Sequence, residues 1–208
     1  MVNFSEISIQ GFGNSSYKSR EVGEAFRILD DAKIMRLIYP TTDVEVPLIP
    51  DLKKSPRLQF LDTGLVNYSL GIQGEMLALS DLSAAYKGSV IPHLFTQELI
   101  SMESISSNKP NFWVREKKQS DAEVDLLYVH RKNVIPIEIK SGSTGSLRSL
   151  HQFIEISGVA LAIRVYGGEF KLEKTQTSTG KEYRLLNLPY YLGTRLSEYA
   201  EWLVNQKN

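Results

Sequence analysis

The sequence predicts an α/β (α+β) fold, a mixed β-sheet flanked by helices. Three observations predict it. First, "NFWVRE", "EVDLLYV" and "VIPIEIK", between residues 111 and 140, carry apolar residues at the two-residue period of strands. Second, polar turns at 117–121 and 130–133 separate them, short enough to join antiparallel neighbours. Third, "SLRSLHQFIEISG" reads as a helix and "VALAIRVYG" at 159–167 as a further strand. From about residue 93 the order is therefore helix, three strands, helix, strand.

Two domains are expected, a small N-terminal segment with a Pro-rich linker over 1–56 and a main domain over 57–208. "NFSEISI" reads as a short helix and "GFGNSSY" as a Gly/Asn/Ser turn. In "SREVGEAFRILDDAKIMRLIYP", Val22, Ala25, Phe26 and Leu29 recur at helical spacing, with Ser19 as the expected N-cap. Helix, Gly turn, helix and the apolar "KIMRLIYP" resemble a winged helix-turn-helix. Arg20 and Arg27 there are offset by Glu21, Glu24, Asp30 and Asp31, which favours a packing module over DNA reading. Pro40, Pro47, Pro50 and Pro56 make 40–57 a loop, with "LKKSPR" an exposed basic stretch. "RLQFLDTGLVNYSLGI" begins as a strand and passes through a Gly turn, and 78–105 is mostly helical. After the 111–140 strands, Ser146 is the expected N-cap of the next helix. "TQTSTGKEYRLLNLPYYL" is an exposed turn and then an apolar strand, and "SEYAEWLVNQ" closes as an amphipathic helix.

Composition excludes several classes. The 208 residues carry 24 basic and 24 acidic side chains, so the whole molecule is no polycation and any nucleic-acid contact must come from local patches. No apolar run approaches the roughly 18–20 residues that span a bilayer. "MVNFSEISIQ" lacks the basic and apolar regions of a signal peptide. The absence of cysteine excludes disulfides and thiolate metal sites, and a cytoplasmic location is expected. His93, His130 and His151 have no metal-ligand spacing.

The chemistry concentrates in "EVDLLYVHRKNVIPIEIKSG", residues 123–142. With "HRKN" as the loop, Val129 faces Val134. Tyr128 then faces Ile135, Leu127 faces Pro136, Leu126 faces Ile137 and Asp125 faces Glu138. Opposed residues share a face with Cβ atoms about 4.5–5.5 Å apart, and Lys140 joins them two residues on. Two carboxylates so close must share a proton, meet a cation or diverge into water. A Mg²⁺ or Mn²⁺ ion resolves the repulsion, with the Ile139 carbonyl as a further ligand. Such an ion binds a phosphate oxygen and lowers the pKa of a bound water, while Lys140 holds the water or neutralises developing charge. The bland alternative is a half-exposed hairpin whose acids pair with Lys140, Arg131 or Arg115. Trp113, alternating with Arg115 in "NFWVRE", reads as core.

At these residues the sequence resembles the PD-(D/E)XK nuclease superfamily, whose pattern is an acid on one strand and Glu/Asp-x-Lys on the next. Asp125 and Glu138-Ile139-Lys140 match it. The resemblance implies a restriction-endonuclease-like αβββαβ core. It also implies a further Glu from the preceding helix, which Glu98 in "LFTQELIS" supplies, and a polar helper on the following helix, for which Gln152 is the candidate. The wider chain is similar to a narrower group. "FLDTGLVNYSLGI", "TQELIS", "NFWVRE", "AEVDLLYV", "IPIEIKSG" and "SLRSLHQF", in this order, resemble the C-terminal domain of unknown function of bacterial and archaeal AAA-type ATPases. The stretch from Ser19 to Pro40 resembles the winged-helix segment before that domain.

A Walker A loop needs Gly directly before its Lys-Ser/Thr, and "GFGNSSYKS" has Tyr17 before Lys18-Ser19. The chain is thus expected to be a C-terminal fragment with no ATP site of its own. Two functions follow as expectations. One is Mg²⁺- or Mn²⁺-dependent cleavage of DNA, with Glu98, Asp125, Glu138 and Lys140 in the site. The other is a non-catalytic module that binds nucleic acid or protein and is coupled to an ATPase domain. A purely structural or oligomerisation domain is the third, weaker reading.

Overall fold

The computed structural model describes residues 9, 12–14, 16–69, 71, 74, 90–102, 110–115, 122–140, 142 and 145–206. The expected helix "NFSEISI" (apart from Ile9), residues 78–89 and 103–105 of the expected 78–105 helical stretch and the 117–121 turn with Lys117 and Lys118 lie outside the described residues. The helices are α1 (Ser19–Asp31), α2 (Thr63–Ser69), α3 (Val90–Met102), α4 (Arg148–Ser157) and α5 (Leu196–Asn205). The strands are β1 (Met35–Ile38), β2 (Pro40–Thr41), β3 (Arg57–Phe60), β4 (Asn111–Val114), β5 (Glu123–His130), β6 (Asn133–Ile139), β7 (Leu161–Tyr166), β8 (Lys171–Gln176) and β9 (Glu182–Pro189).

A seven-stranded sheet runs in the order β2-β4-β5-β6-β7-β9-β8, and β1 and β3 form a separate antiparallel pair. β4, β5 and β6 are mutually antiparallel, whereas β7 and β9 run parallel to β6. β5 and β6 are joined by a short turn, and the parallel step from β6 to β7 is made by α4, the kind of crossover that parallel strands require. Helices cover both faces. Ile91, Phe95 and Leu99 of α3 and Leu196, Ala200 and Leu203 of α5 pack with Leu126, Ile135, Ile137 and Ile139. On the other face Phe153 of α4 packs with Leu127, Val134 and Trp113, and Leu150 and Ile154 pack with Ala162 and Leu185. A strand covered on both faces loses polar alternation, so every residue of β6 from Val134 to Ile139 is buried.

The hairpin register agrees with the sequence: Leu126↔Ile137, Leu127↔Pro136, Tyr128↔Ile135 and Val129↔Val134 all pair. The loop is tighter than "HRKN", because His130 also pairs with Asn133 and only Arg131 and Lys132 turn, Arg131 at φ +58°. Trp113 is core, edge-on to Phe153 with ring centroids 5.3 Å apart.

Several local expectations change. Ser19 is the first residue of α1, and the Glu21 carboxylate caps the helix by accepting the Lys18 N–H at 2.9 Å. Leu147, not Ser146, is the N-cap of α4, although the Ser146 hydroxyl still accepts the Arg148 N–H at 3.3 Å. Gly64 lies inside α2 and not in a turn, because Asp62 caps that helix by accepting the N–H groups of Gly64 and Leu65 at 2.7 and 3.1 Å. The 40–57 loop yields strand at both ends: Pro40 opens β2 at the sheet edge, where a missing donor is tolerated, and Arg57 opens β3. Residues Lys171–Gln176, which include the first two of the expected turn "TQTSTG", form β8, an edge strand whose charged side chains discourage further pairing. Near the N-terminus Phe26 of α1 packs on Met35 and Leu37, and Asp30 pairs with buried Arg36 at 3.3 Å.

Candidate functional site

Pro136 sets up the site. It has no N–H, so its pair with Leu127 is a non-hydrogen-bonded one. Alternation then makes residues 124 and 139 a hydrogen-bonded pair in an unbroken ladder. The Ile139 N–H instead goes to the Asp125 side chain, at 2.7 Å from Oδ2. The Asp125 carbonyl, which points away from β6 in this pattern, accepts Arg57 Nη1 at 2.9 Å. The ladder therefore ends at Leu126↔Ile137, and a carboxylate occupies the point where the two strands part.

Glu138 is the next residue on the opposing strand and is only 6% exposed. Its Oε1 accepts a hydrogen bond from Lys140 Nζ, and its Oε2 is buried without any hydrogen-bond partner. Lys140 is held by its backbone N–H to the Val165 carbonyl (2.8 Å) and by Gly145 lying on its stem. A Cβ at Gly145 would stand 2.7 Å from Lys140 Cδ, so only glycine permits this approach without moving the lysine. The Gly142 carbonyl accepts the Gly167 N–H at 3.1 Å and fastens the same loop to the end of β7.

Burial pushes the Glu138 carboxyl up to about 7, and the neighbouring Asp125 charge adds to that; Lys140 and Arg57 pull the other way. Burial also raises Asp125, against the opposing pull of Arg57, the Ile139 N–H and Lys140. The two carboxyls are thus a coupled pair that resists carrying two charges in water at neutral pH.

The other expected residues lie apart from the pair. Glu98 is exposed on α3, and its carboxylate makes no hydrogen bond or ion pair among the described residues. Gln152 on α4 accepts from Arg115 Nη1 at 3.0 Å. Arg131 bonds Glu201 at 3.1 Å, so neither arginine of the bland alternative neutralises the pair. Among the described residues no three His, Asp or Glu side chains are close enough to hold a metal between them.

The cation that does serve Asp125 is Arg57, which the sequence placed in an exposed loop. Its side chain is 18% exposed, it ion-pairs with Glu123, lies 3.9 Å from Asp125 Oδ1 and stacks 3.9 Å over the Phe112 ring. No local pattern ties it to a partner 68 residues away; the only available signal was that "RLQF" reads as a strand beginning at the arginine. His93 is buried, bonded to Gln59 and held down to about 4 by burial, consistent with a structural histidine.

Residues 87–191 match DUF4143, a domain of unknown function typically found in the C-terminal regions of AAA-type ATPases. Residues 1–76 match a second domain of unknown function, DUF8612. No curated protein and no solved structure matches the chain. The DUF4143 match covers half of the chain and contains Glu98, Asp125, Glu138, Lys140 and Gln152, with Arg57 outside it, and the chain belongs to that family.

Proposed function

We propose that this DUF4143 member is a divalent-cation-dependent domain that cleaves DNA phosphodiesters, with a restriction-endonuclease-like core behind a winged-helix-like segment. The observation that carries the reading is the buried, unpartnered Glu138 Oε2 on the strand beside Asp125. A buried carboxylate oxygen without a donor is costly, and a cation is the partner that two adjacent carboxylates select. Asp125, Glu138 and the Ile139 carbonyl supply the hard oxygen ligands that Mg²⁺ or Mn²⁺ takes, with water filling the other positions, while Glu98 stands outside this set. When bound, the ion polarises a phosphate oxygen and makes a bound water more acidic. Lys140, released from Glu138, orients that water or meets the developing charge. The helix–three strands–helix–strand order and the parting of β5 and β6 at Asp125 support this reading, and α1 followed by the β1–β3 pair supports the winged-helix-like segment.

Charge supports it as well. With both acids ionised, Asp125, Glu138 and Glu123 balance Arg57, Lys140 and the Arg164 opposite Glu138, and a divalent ion adds two positive charges, which attract a phosphodiester.

A second reading has its own observation. Arg57 and Lys140 already give each acid a protein partner, as in a non-catalytic module that binds DNA or protein beside an ATPase domain. Calorimetric titration with Mn²⁺ and cleavage assays on single-stranded and duplex DNA separate the two. The first reading expects Mn²⁺ binding lost in Asp125→Asn and cleavage lost in Lys140→Ala. Absence of cleavage by the wild type, also when joined to an ATPase domain, refutes it whether or not Mn²⁺ binds.

A further inference from the structure

The strand register places two more polar side chains beside Glu138. Parallel pairing sets Glu138 opposite Arg164 on β7, and Arg164 opposite Asn187 on β9. Residues in register across a sheet share a face, with strands about 4.8 Å apart. A row Glu138–Arg164–Asn187 therefore leads away from the carboxylate pair, on the face that α4 covers through Ala162 and Leu185 two residues earlier on each strand.

Each member of the row is left with an unused polar atom. Glu138 Oε2, Arg164 Nε and Asn187 Oδ1 are all buried and lack a hydrogen-bond partner. Asn187 is fully buried, and its amide NH₂ is already committed to Glu173. The guanidinium of Arg164 is held by stacking, with Cζ 4.4 Å from the centre of the Tyr166 ring. That ring is fixed in turn: its hydroxyl donates to the Glu169 carbonyl at 2.7 Å, and Gly168 lies so close that a Cβ there would stand 2.3 Å from Cε2. Buried polar atoms normally find partners, and Glu138 Oε2 beside Nε of the pre-oriented, half-buried Arg164 describes a site that awaits a ligand.

We propose that Arg164 binds a backbone phosphate of the DNA strand whose neighbouring phosphate sits at Asp125 and Glu138. This extends the nuclease reading, yet it requires only binding and not cleavage. An arginine held flat by an aromatic ring loses little freedom on contact and matches phosphate with two N–H groups.

The test is fluorescence anisotropy of a labelled single-stranded oligonucleotide and its duplex, with Ca²⁺ or with EDTA, across a salt series. Arg164→Ala is expected to weaken binding about tenfold and to lower the salt slope on single strands by about 0.7. Arg164→Lys is expected to keep the slope and to bind more weakly than wild type, because charge remains and the paired N–H geometry is lost. Lys174→Ala, an exposed change on β8, is the control and is expected to match wild type. In cleavage assays Arg164→Ala is expected to raise KM more than it lowers kcat. Thermal melts of Arg164→Lys show that a loss of binding is not a loss of fold. DNA binding that depends on Arg164, without cleavage, upholds the subsite and refutes the nuclease. No DNA binding by wild type, or Arg164→Ala indistinguishable from Lys174→Ala, overturns the subsite.

Discussion

Glu138→Gln isolates the electrostatics of the carboxylate pair. Glu138 is 6% exposed, and burial together with Asp125 lifts its pKa from an ordinary 4.5 to about 7. Between those values the folded chain holds a proton that the unfolded chain has released. The proton's contribution to stability is complete below 4.5 and is lost as pH rises through about 7. From about pH 5 to about pH 8 the loss amounts to about 2.5 kcal/mol. Glutamine keeps the shape and has no proton to lose. The variant also loses the bond from Lys140, whose dependence on Glu138 ionisation is already contained in the pKa of about 7. The stability of Glu138→Gln relative to wild type should therefore rise by about 2.5 kcal/mol between those pH values, read from urea midpoints at constant slope. Divalent cation should erase the difference by stabilising ionised wild type alone. A relative stability that does not change with pH would refute the claim that burial and Asp125 hold the proton.

Arg57→Ala should cost about 2–3 kcal/mol in urea denaturation, since it removes the bond to the Asp125 carbonyl and leaves two acids without their cation. Arg57→Lys should recover only part of this, because an ammonium cannot both bridge the acids and stack on Phe112. His93 is held neutral at about 4 against an ordinary 6.5, so the unfolded chain takes up a proton first as pH falls. His93→Gln, which can keep a bond to Gln59, should flatten the acid limb of the stability profile between those values by up to about 3 kcal/mol. Gly193→Ala should lower Tm, because its Cβ would lie 2.6 Å from Phe95 Cε2; overpacking there costs about 1–3 kcal/mol, and Phe95→Leu should restore part of it.

The hairpin was legible because its cause is local. Alternation and a short polar turn fix register, and a one-residue slip would turn Leu127 and Val134 away from Phe153. That register alone brings Asp125, Glu138 and Lys140 to one face. Arg57 was not legible, because its partners are set by the docking of β3 against the main sheet and not by neighbours in sequence. The start of α2 is ambiguous for a different reason: Asp-Thr-Gly suits a turn as well as a helix start, and only the Asp62 side chain accepting the Gly64 N–H decides between them. β8 escaped because a charged edge strand has no buried face to impose a period. Arg164 and Asn187 look like ordinary polar interruptions of apolar strands until parallel pairing sets them beside Glu138.

The ion pairs of Arg57 and Lys140 do not weigh equally for the two readings of the site. Arg57 is bound to the backbone of Asp125 as well as near its carboxylate, so it would stay in place when a cation arrives. Lys140 touches Glu138 through its side chain alone and is partly exposed, so it can leave. A purely structural pair would satisfy both Glu138 oxygens; here one is satisfied and the other is buried and unused. A half-satisfied buried acid costs stability, and marginally stable proteins carry such costs where function requires them. The asymmetry between the two oxygens of Glu138 thus favours a site that exchanges its lysine for a cation over one that is complete as it stands.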